Sequence, residues 1–267
     1  MTLYEAVYTR KSIRNFRKDK VETSILEGMI QFYHEMEPLF PGIETSIELI
    51  DTQSSKKAKS RLGGIINVAA PYYLVIYTED KERADMNAGY IMQQISLYLF
   101  SKGVGSCFQG MGHLKGEMPK ESMRCVILMA IGYPKVDMVR NQEDAKRESM
   151  EDLCAVKEPP RRFVKEFLEV ARLAPSAFNS QPWRFVVYDN RIHVFSKNRV
   201  HVFSKQTVAH RRLLGKYNEF DFGIMLANIM IAAEQLWVDV DLIRLDNITH
   251  MDLPNNRYVI SIIMREP

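Results

Sequence analysis

The feature of this sequence that most constrains its fold is an internal repeat of two apolar segments. Asn87–Val104 aligns without a gap on Asp221–Val238, and the alignment places Gly89 on Gly223. Apolar residues recur at helical spacing in both segments, so both are predicted to form core helices. Two interpretations are open: the two helices are alike by chance, or the chain consists of two related halves. The second interpretation predicts two tandem units, each built around one of these helices.

Length and charge narrow the class of protein. The chain has 267 residues, which is enough for one large domain or two modest ones. Hydrophobic residues make up 46% and charged residues 26%, as in most globular proteins. The net charge is only +3, so long-range attraction to a nucleic-acid backbone is weak and we expect no nucleic-acid partner.

The sequence predicts neither export nor membrane insertion. The three cysteines, Cys107, Cys125 and Cys154, lack the paired spacings of disulfide frameworks and zinc sites. The N-terminal residues include the acidic Glu5 and lack the apolar core of a secretory signal. The longest apolar run, Cys125–Ile131, is too short to cross a bilayer. We therefore expect a reduced, cytoplasmic protein with neither a metal site nor a membrane partner.

Periodicity and turn residues predict the main helices and strands. Thr2 and Glu5 form the pattern of a capping box, which predicts a helix at the N-terminus. Helical spacing predicts further helices over residues 21–34, 85–102, 163–173 and 221–237. Apolar and β-branched runs predict strands over residues 71–78, 124–133, 185–188, 191–195 and 257–264. A charged stretch that ends at Pro159 and Pro160 predicts a boundary between two halves, residues 1–157 and 158–267.

A second, shorter repeat lies in the later half. Asn190–Lys197 is followed at once by a near copy, Asn198–Lys205. Polar and apolar positions alternate in both copies, which predicts two adjacent strands that turn near Lys197. His193 and His201 alternate with core positions, so neither is expected to bind a metal.

A basic run, residues 9–16, follows directly after the first predicted helix. It offers guanidinium, ammonium and hydroxyl donors to one small anion such as a phosphate group. The candidate donors are Arg10, Lys11, Ser12 and Arg14. The alternative is a solvated basic stretch, because further basic residues continue the charge as far as Lys20.

A proline-rich segment, residues 174–185 and called the proline loop below, carries a second set of polar side chains. Pro175 and Pro182 hold the backbone extended on either side of Ser176, Asn179 and Gln181. Short polar side chains are thereby presented from a stiff loop and not from a helix. On its own, such a loop has either a structural or a ligand-binding role.

The basic run and the proline loop together resemble the two N-terminal signatures of the nitroreductase family of FMN-dependent oxidoreductases. In that family the two signatures lie in one short stretch, whereas here they lie in different halves of the chain. Three further segments resemble family motifs: a glycine-rich helix end and loop at Gly103–Gly110, a strand end at Ile131–Pro134, and a basic pair at the start of Lys146–Leu153.

The resemblance implies an α+β fold with nitroreductase-like three-layer α/β/α architecture. Two tandem half-domains would form a pseudo-dimer, with mixed or antiparallel central sheets flanked by helices. Residues 1–157 carry every motif except the proline loop, and residues 158–267 supply that loop but lack the basic run. The resemblance is therefore to a single-chain, fused-dimer subgroup that keeps one of two flavin sites, and it implies a monomer with an internal pseudo-twofold axis.

The same resemblance implies the cofactor and the reaction. NADH or NADPH would give hydride to N5 of FMN in a ping-pong cycle, and a quinone, a nitroaromatic compound or a related small acceptor would then be reduced. No side chain is required as a catalytic group. The residues implied to bind FMN are Arg10, Lys11, Ser12, Arg14, Gln109, Gly110, Lys146, Arg147, Pro175, Ser176, Ala177 and Asn179. The resemblance also implies that Trp183 anchors the proline loop in the core.

Alternatives stay open for the function and for two side chains near the implied flavin loop. The chain is either an enzyme or a flavin- or nucleotide-binding protein without efficient turnover. Cys107 is interpreted as a small buried cysteine and not as a catalytic thiol. His113 is either a proton donor to product or a surface histidine.

Overall fold

The computed structural model of the protein describes residues 1–116, 118–197, 208–248 and 256–265. The chain divides into two compact units, Met1–Ala145 and Lys146–Pro267. The sequence placed this boundary later, between residues 157 and 158. The structural division falls earlier because Cys154–Val156 forms a strand that pairs with Phe185–Val187 of the second unit.

The first unit combines helices with an antiparallel sheet. Its helices are α1 (Leu3–Thr9), α2 (Thr23–Glu35), α3 (Lys56–Ser60) and α4 (Ala84–Ser101). Its strands are β1 (Thr45–Asp51), β2 (Leu62–Gly64), β3 (Tyr72–Glu79), β4 (Gly105–Gln109), β5 (Gly112–Leu114) and β6 (Met123–Gly132). The sheet has the order β1-β3-β6-β4 with every neighbour antiparallel, and β2 pairs separately with β5.

Helix α4 is the central helix of the first unit. It contacts β3 and β4, and both α1 and α2 contact it in turn. The helix ends at the glycine-rich helix end identified in the sequence, where Gly103 adopts a left-handed φ of 79° that costs glycine little. The N–H of Val104 then donates to the carbonyl of Leu99 (2.9 Å) and satisfies the last turn.

The second unit has a mixed sheet. Its helices are α5 (Met150–Leu153), α6 (Arg162–Leu173) and α7 (Val208–Leu236). Its strands are β7 (Cys154–Val156), β8 (Trp183–Val187), β9 (Arg191–Lys197), β10 (Val240–Ile243) and β11 (Asn256–Met264). The order is β10-β11-β9-β8-β7, in which the β7–β8 pair is parallel and the other pairs are antiparallel. The α+β class predicted from the sequence is confirmed, since each unit has its own sheet.

The two units share one strand order. The chain passes through β1, β3, α4, β4 and β6 in the first unit and through β8, β9, α7, β10 and β11 in the second, with equivalent neighbours in each sheet. Even the helix ends agree, because Trp237 has a φ of 55° at the position aligned with Gly103, and Val238 N donates to Ala233 O (3.0 Å). Two related halves predict this agreement, whereas a chance likeness of two helices does not.

The predicted helices and strands are present, with small shifts at their ends. The capping box forms as predicted, with Glu5 N donating to Thr2 Oγ1 (3.1 Å) and Thr2 N donating to Glu5 Oε2 (2.8 Å). The main difference is α7, which begins at Val208 and not at 221, because polar and charged residues interrupt the apolar pattern before Asp221. In the described residues, no helix has the length and the apolar character needed to cross a bilayer.

The shorter repeat is described for its first copy alone. β9 pairs with β8 along one edge and with β11 along the other. It is therefore a central strand of the sheet. The second copy, residues 198–205, lies outside the described residues, as does His201. His193 is buried within β9, where its Nδ1 lies 2.7 Å from Ser261 Oγ.

Candidate functional site

The basic run lies along the edge of the first sheet. Arg10 forms an isolated bridge with Val139. Ile13 N donates to Ser106 O on β4 (2.9 Å). Through these backbone contacts the run is held beside the strand that leads into the predicted flavin loop.

Two motif glycines allow this close approach. A Cβ added to Gly105 would lie 2.7 Å from Ile13 Cγ1, and one added to Gly132 would lie 2.8 Å from Pro71 Cγ and 3.1 Å from Phe16 Cδ1. Such distances are shorter than packed carbon atoms tolerate. The sequence assigned these glycines to a helix end and a strand end. It did not show that the absence of a side chain at these positions allows the basic run to pack against the sheet. The packing depends on contacts that a single sequence does not display.

Arg10 is a buried cation surrounded by other cations. Only 6% of it is exposed. Burial, followed by the nearby charges of Arg140 and Arg14, lowers the pKa of Arg10 to about 10. In the part of the chain that the structure describes, no carboxylate is among its electrostatic neighbours, and the other neighbour is the thiol of Cys107. A buried guanidinium without a counter-ion is unfavourable, so this place is suited to bind an anion.

The other residues of the basic run are more accessible. Lys11 and Ser12 are half-buried, and Arg14 is exposed. Arg140 was not predicted to belong to the site, because a single arginine in a charged loop gives no pattern in the sequence. Its position is fixed by its backbone, since Arg140 N donates to Thr9 O (2.8 Å).

The predicted flavin loop begins at the end of β4. Gln109 is buried, and its Nε2 donates to the carbonyls of Cys107 (3.3 Å) and Phe108 (3.0 Å). Gly110 lies in the turn between β4 and β5. Burial raises the pKa of the Cys107 thiol, although the charges of Arg14 and Arg10 oppose this effect. The interpretation of Cys107 as a buried cysteine is confirmed.

His113 lies on β5 and is exposed. It is paired in register with Gly63 of β2. A Cβ on Gly63 would lie 2.6 Å from His113 Nε2, so the imidazole ring covers this glycine. Neither of the two roles considered for His113 is tested by this position.

The proline loop of the second unit has an unusual backbone. Positive φ angles occur at Phe178 (54°), Asn179 (54°) and Gln181 (45°). This left-handed region of backbone conformation is unfavourable for residues other than glycine. The side chain of Trp183 is fully buried directly after them, as an anchor of the loop in the core should be. Strained backbone of this kind persists where surrounding contacts hold it, and it is frequent at functional sites.

Hydrogen bonds hold the first turn of the proline loop. Ala177 N donates to both carboxylate oxygens of the buried Asp221 on α7, at 3.1 and 3.0 Å. Ser176 Oγ accepts from Gln181 N (2.9 Å). The backbone of Ala177 and the hydroxyl of Ser176 therefore both serve the internal structure of the loop. Pro175 is half-buried just before them.

The predicted basic pair belongs to the second unit and contacts the proline loop. Arg147 Nη1 donates to Asn179 Oδ1 (2.8 Å), and Arg147 Nη2 donates to Leu173 O (3.1 Å). Asn179 Nδ2 donates to Lys146 O (2.8 Å). The next residue continues the contact, since Glu148 N donates to Gln181 Oε1 (2.7 Å). The side chain of Lys146 is exposed.

The structure thus brings the predicted residues together in two groups. In the first unit Arg10, Arg14 and Gln109 surround or adjoin Cys107. In the second unit the basic pair and the proline loop form one hydrogen-bonded group. Among the described residues, no group of three or more His, Cys, Asp or Glu side chains is arranged to hold a metal ion.

The sequence identifies the family. Residues 2–233 match the family described as "Putative TM nitroreductase". The chain belongs to this nitroreductase family, and the resemblance inferred from the motifs is confirmed. No curated protein is significantly similar to the chain.

One solved structure shows the same fold over the whole chain. A putative nitroreductase from Thermotoga maritima aligns over 100% of this chain and 95% of its own, with a TM-score of 0.63 and 16% identity. This likeness shows the fold and confirms the predicted nitroreductase-like class. Shorter nitroreductases align less well: a family protein from Clostridium difficile 630 covers 57% of this chain and 96% of its own (TM-score 0.46, 15% identity). An FMN-dependent nitroreductase from C. difficile R20291 covers 53% and 93% (TM-score 0.38, 19% identity).

Proposed function

We propose that this protein is an FMN-dependent NAD(P)H oxidoreductase that reduces a quinone, a nitroaromatic compound or a related small acceptor. Membership of the nitroreductase family supports an oxidoreductase. The observation that carries the proposal is the buried guanidinium of Arg10, which has cations as its neighbours and needs an anion to neutralise it.

The phosphate group of FMN fits this requirement. A dianionic phosphate accepts charge-assisted hydrogen bonds from guanidinium groups, which are about twice as strong as neutral ones. Arg10 supplies such donors from a buried position, and Arg14 adds a second guanidinium from the exposed side. Ser12 and Lys11 contribute a hydroxyl and an ammonium group on the same short run.

When bound, FMN supplies hydride transfer through its N5 atom. The roles of the chain are then to bind, to orient and to exclude water. The proposal assigns the phosphate to the basic run, the region of N5 to Gln109 and Gly110, and the cover of the flavin to the proline loop through Pro175 and Ser176. One FMN per chain follows from this division of roles, because each group of residues occurs once. We propose that the protein acts as a monomer.

Reconstitution with FMN tests the proposal. The protein is titrated with FMN and, as a control for the phosphate group, with riboflavin. We expect one FMN per chain and an affinity at least tenfold weaker for riboflavin, since a lost charged hydrogen bond costs about 1.5–3 kcal/mol. Under anaerobic conditions NADH or NADPH should bleach the bound flavin, and menadione or a nitroaromatic compound should restore its colour.

Two results would contradict the proposal in different ways. Equal affinity for riboflavin and FMN would show that the buried cation does not bind the phosphate group. Tight FMN binding without bleaching by either nicotinamide would leave a flavin-binding protein without turnover.

A further inference from the structure

We infer that Arg147 and Asn179 form a clamp that sets the conformation of the proline loop, and that they are positioning residues and not ligands of the phosphate group. The inference rests on the proposed function, in which this loop covers FMN. It replaces the direct FMN contact that the family resemblance implied for the basic pair, Lys146 and Arg147.

The clamp uses both polar ends of one amide. Asn179 Oδ1 accepts from Arg147 Nη1 (2.8 Å), and Asn179 Nδ2 donates to Lys146 O (2.8 Å). One lone pair of Oδ1 and one N–H of Nδ2 are therefore committed to contacts within the second unit. The amide of Asn179 therefore ties the middle of the loop to the segment that precedes α5.

The guanidinium of Arg147 also binds the residue that directly precedes the loop. Its Nη2 donates to the carbonyl of Leu173 (3.1 Å), which is the last residue of α6, while its Nη1 holds Asn179. One planar group thus connects the end of α6 with the middle of the proline loop. Lysine has no planar fork and cannot reproduce two such bonds with fixed geometry.

The backbone explains why such a clamp is needed. Phe178, Asn179 and Gln181 have positive φ angles, which non-glycine residues adopt only when surrounding contacts hold them. Arg147 holds Asn179 directly, and Gln181 is held through Glu148 N (2.7 Å). Two of the three residues with positive φ are therefore held by hydrogen bonds from the segment that contains Arg147.

Lys146 provides a matched control. It is the neighbour of Arg147 in the sequence and carries the same charge, but it enters the clamp through its carbonyl and its side chain is exposed. If the basic pair acts through charge on the phosphate, both side chains should matter. If it acts through the clamp, the guanidinium of Arg147 should matter and the ammonium group of Lys146 should not.

The experiment compares the FMN affinity of wild-type protein with that of Arg147→Lys, Arg147→Gln, Asn179→Ala and Lys146→Gln. We expect about a tenfold loss for both Arg147 variants and for Asn179→Ala, and a change of less than twofold for Lys146→Gln. The double variant Arg147→Gln/Asn179→Ala should be no weaker than either single variant, because both changes open the same clamp. At saturating FMN, a raised KM for the acceptor with little change in kcat is the further sign of a misplaced loop.

Two results would overturn the clamp while leaving the proposed function intact. One is an Arg147→Lys variant that binds FMN as wild type does while Arg147→Gln binds weakly, which indicates a charge contact. The other is wild-type affinity in all variants.

A second measurement keeps the clamp testable without flavin. Phe178 is 55% exposed, so chymotrypsin can cleave the loop of the apoprotein after this residue. We expect faster cleavage in the Arg147 and Asn179 variants than in wild type and Lys146→Gln, and equal rates would overturn the clamp. Failure of the wild-type protein to bind FMN would reject the proposed function, and the cleavage rates would still decide the clamp.

Discussion

Replacement of Arg10 by methionine should change stability and FMN binding in opposite directions. Methionine keeps much of the unbranched aliphatic volume and removes the charge. The pKa of Arg10 is lowered to about 10, well below the ordinary value of an arginine, and each pKa unit corresponds to about 1.4 kcal/mol. The charged form is therefore about 3 kcal/mol less favourable in the folded protein than in water. Below pH 10 the residue is charged in both folded and unfolded states, so this cost is fully present at neutral pH.

The apoprotein of Arg10→Met should accordingly be more stable than wild type by up to about 3 kcal/mol. The gain in the free energy of unfolding is smaller by the amount that packing of the guanidinium contributes in wild type. FMN binding should weaken at least tenfold, because charged hydrogen bonds to the phosphate contribute about 1.5–3 kcal/mol. Urea unfolding of the apoprotein at pH 7.5 measures the first effect. Titration with FMN measures the second.

Arg17→Met is the control for both measurements. Arg17 is exposed and forms a surface ion pair with Asp19, so its loss should change the free energy of unfolding by less than about 1 kcal/mol. The reasoning would be refuted by an Arg10→Met apoprotein that is less stable than wild type. It would equally be refuted by an unchanged FMN affinity in that variant.

Two further predictions concern packing and pH. Gly105→Ala should destabilise the protein by about 1–3 kcal/mol, because the new Cβ would lie 2.7 Å from Ile13 Cγ1. In urea unfolding, Gly42→Ala, where no atom lies within 4 Å of the added Cβ, should have little effect, and equal losses would contradict the packing role. Burial, followed by the charge of Arg191, lowers the pKa of His193 to about 4. The unfolded chain therefore takes up a proton first, and stability present above pH 6.5 is lost as the pH falls toward 4. Thermal unfolding across this range should show a shallower loss for His193→Asn than for wild type, and an identical loss would disprove the assignment.

The fold was predictable where one local signal dominates. The capping box of Thr2 with Glu5 and the glycine after α4 each depend on a few neighbouring residues, and both form as the sequence indicated. The start of α7 was missed because polar and charged residues interrupt its pattern before Asp221. The short strand β7 was also missed, since three residues are too few to show a period.

The sequence supplies the motifs of the candidate site but not the contacts that its residues make. The basic run contains an arginine that is buried among cations, and this supports the proposed contact with a phosphate group. Arg140 and Asp221 carry no motif, and their proximity to Arg10 and to Ala177 arises from the tertiary fold alone. The contacts of Arg147 with the proline loop were likewise invisible, because basic residues in a charged segment are as compatible with a ligand contact as with a loop contact.

The position of β7 determines where the gene can be divided. This strand precedes α6 in the chain, yet it is the outermost strand beside β8 in the second sheet. A break between residues 157 and 158 would remove it together with Arg147, and would leave β8 as an open edge that favours aggregation. A break after Ala145 keeps all five strands of the second sheet on one polypeptide. Expression of the halves as separate polypeptides should therefore start the second one at Lys146.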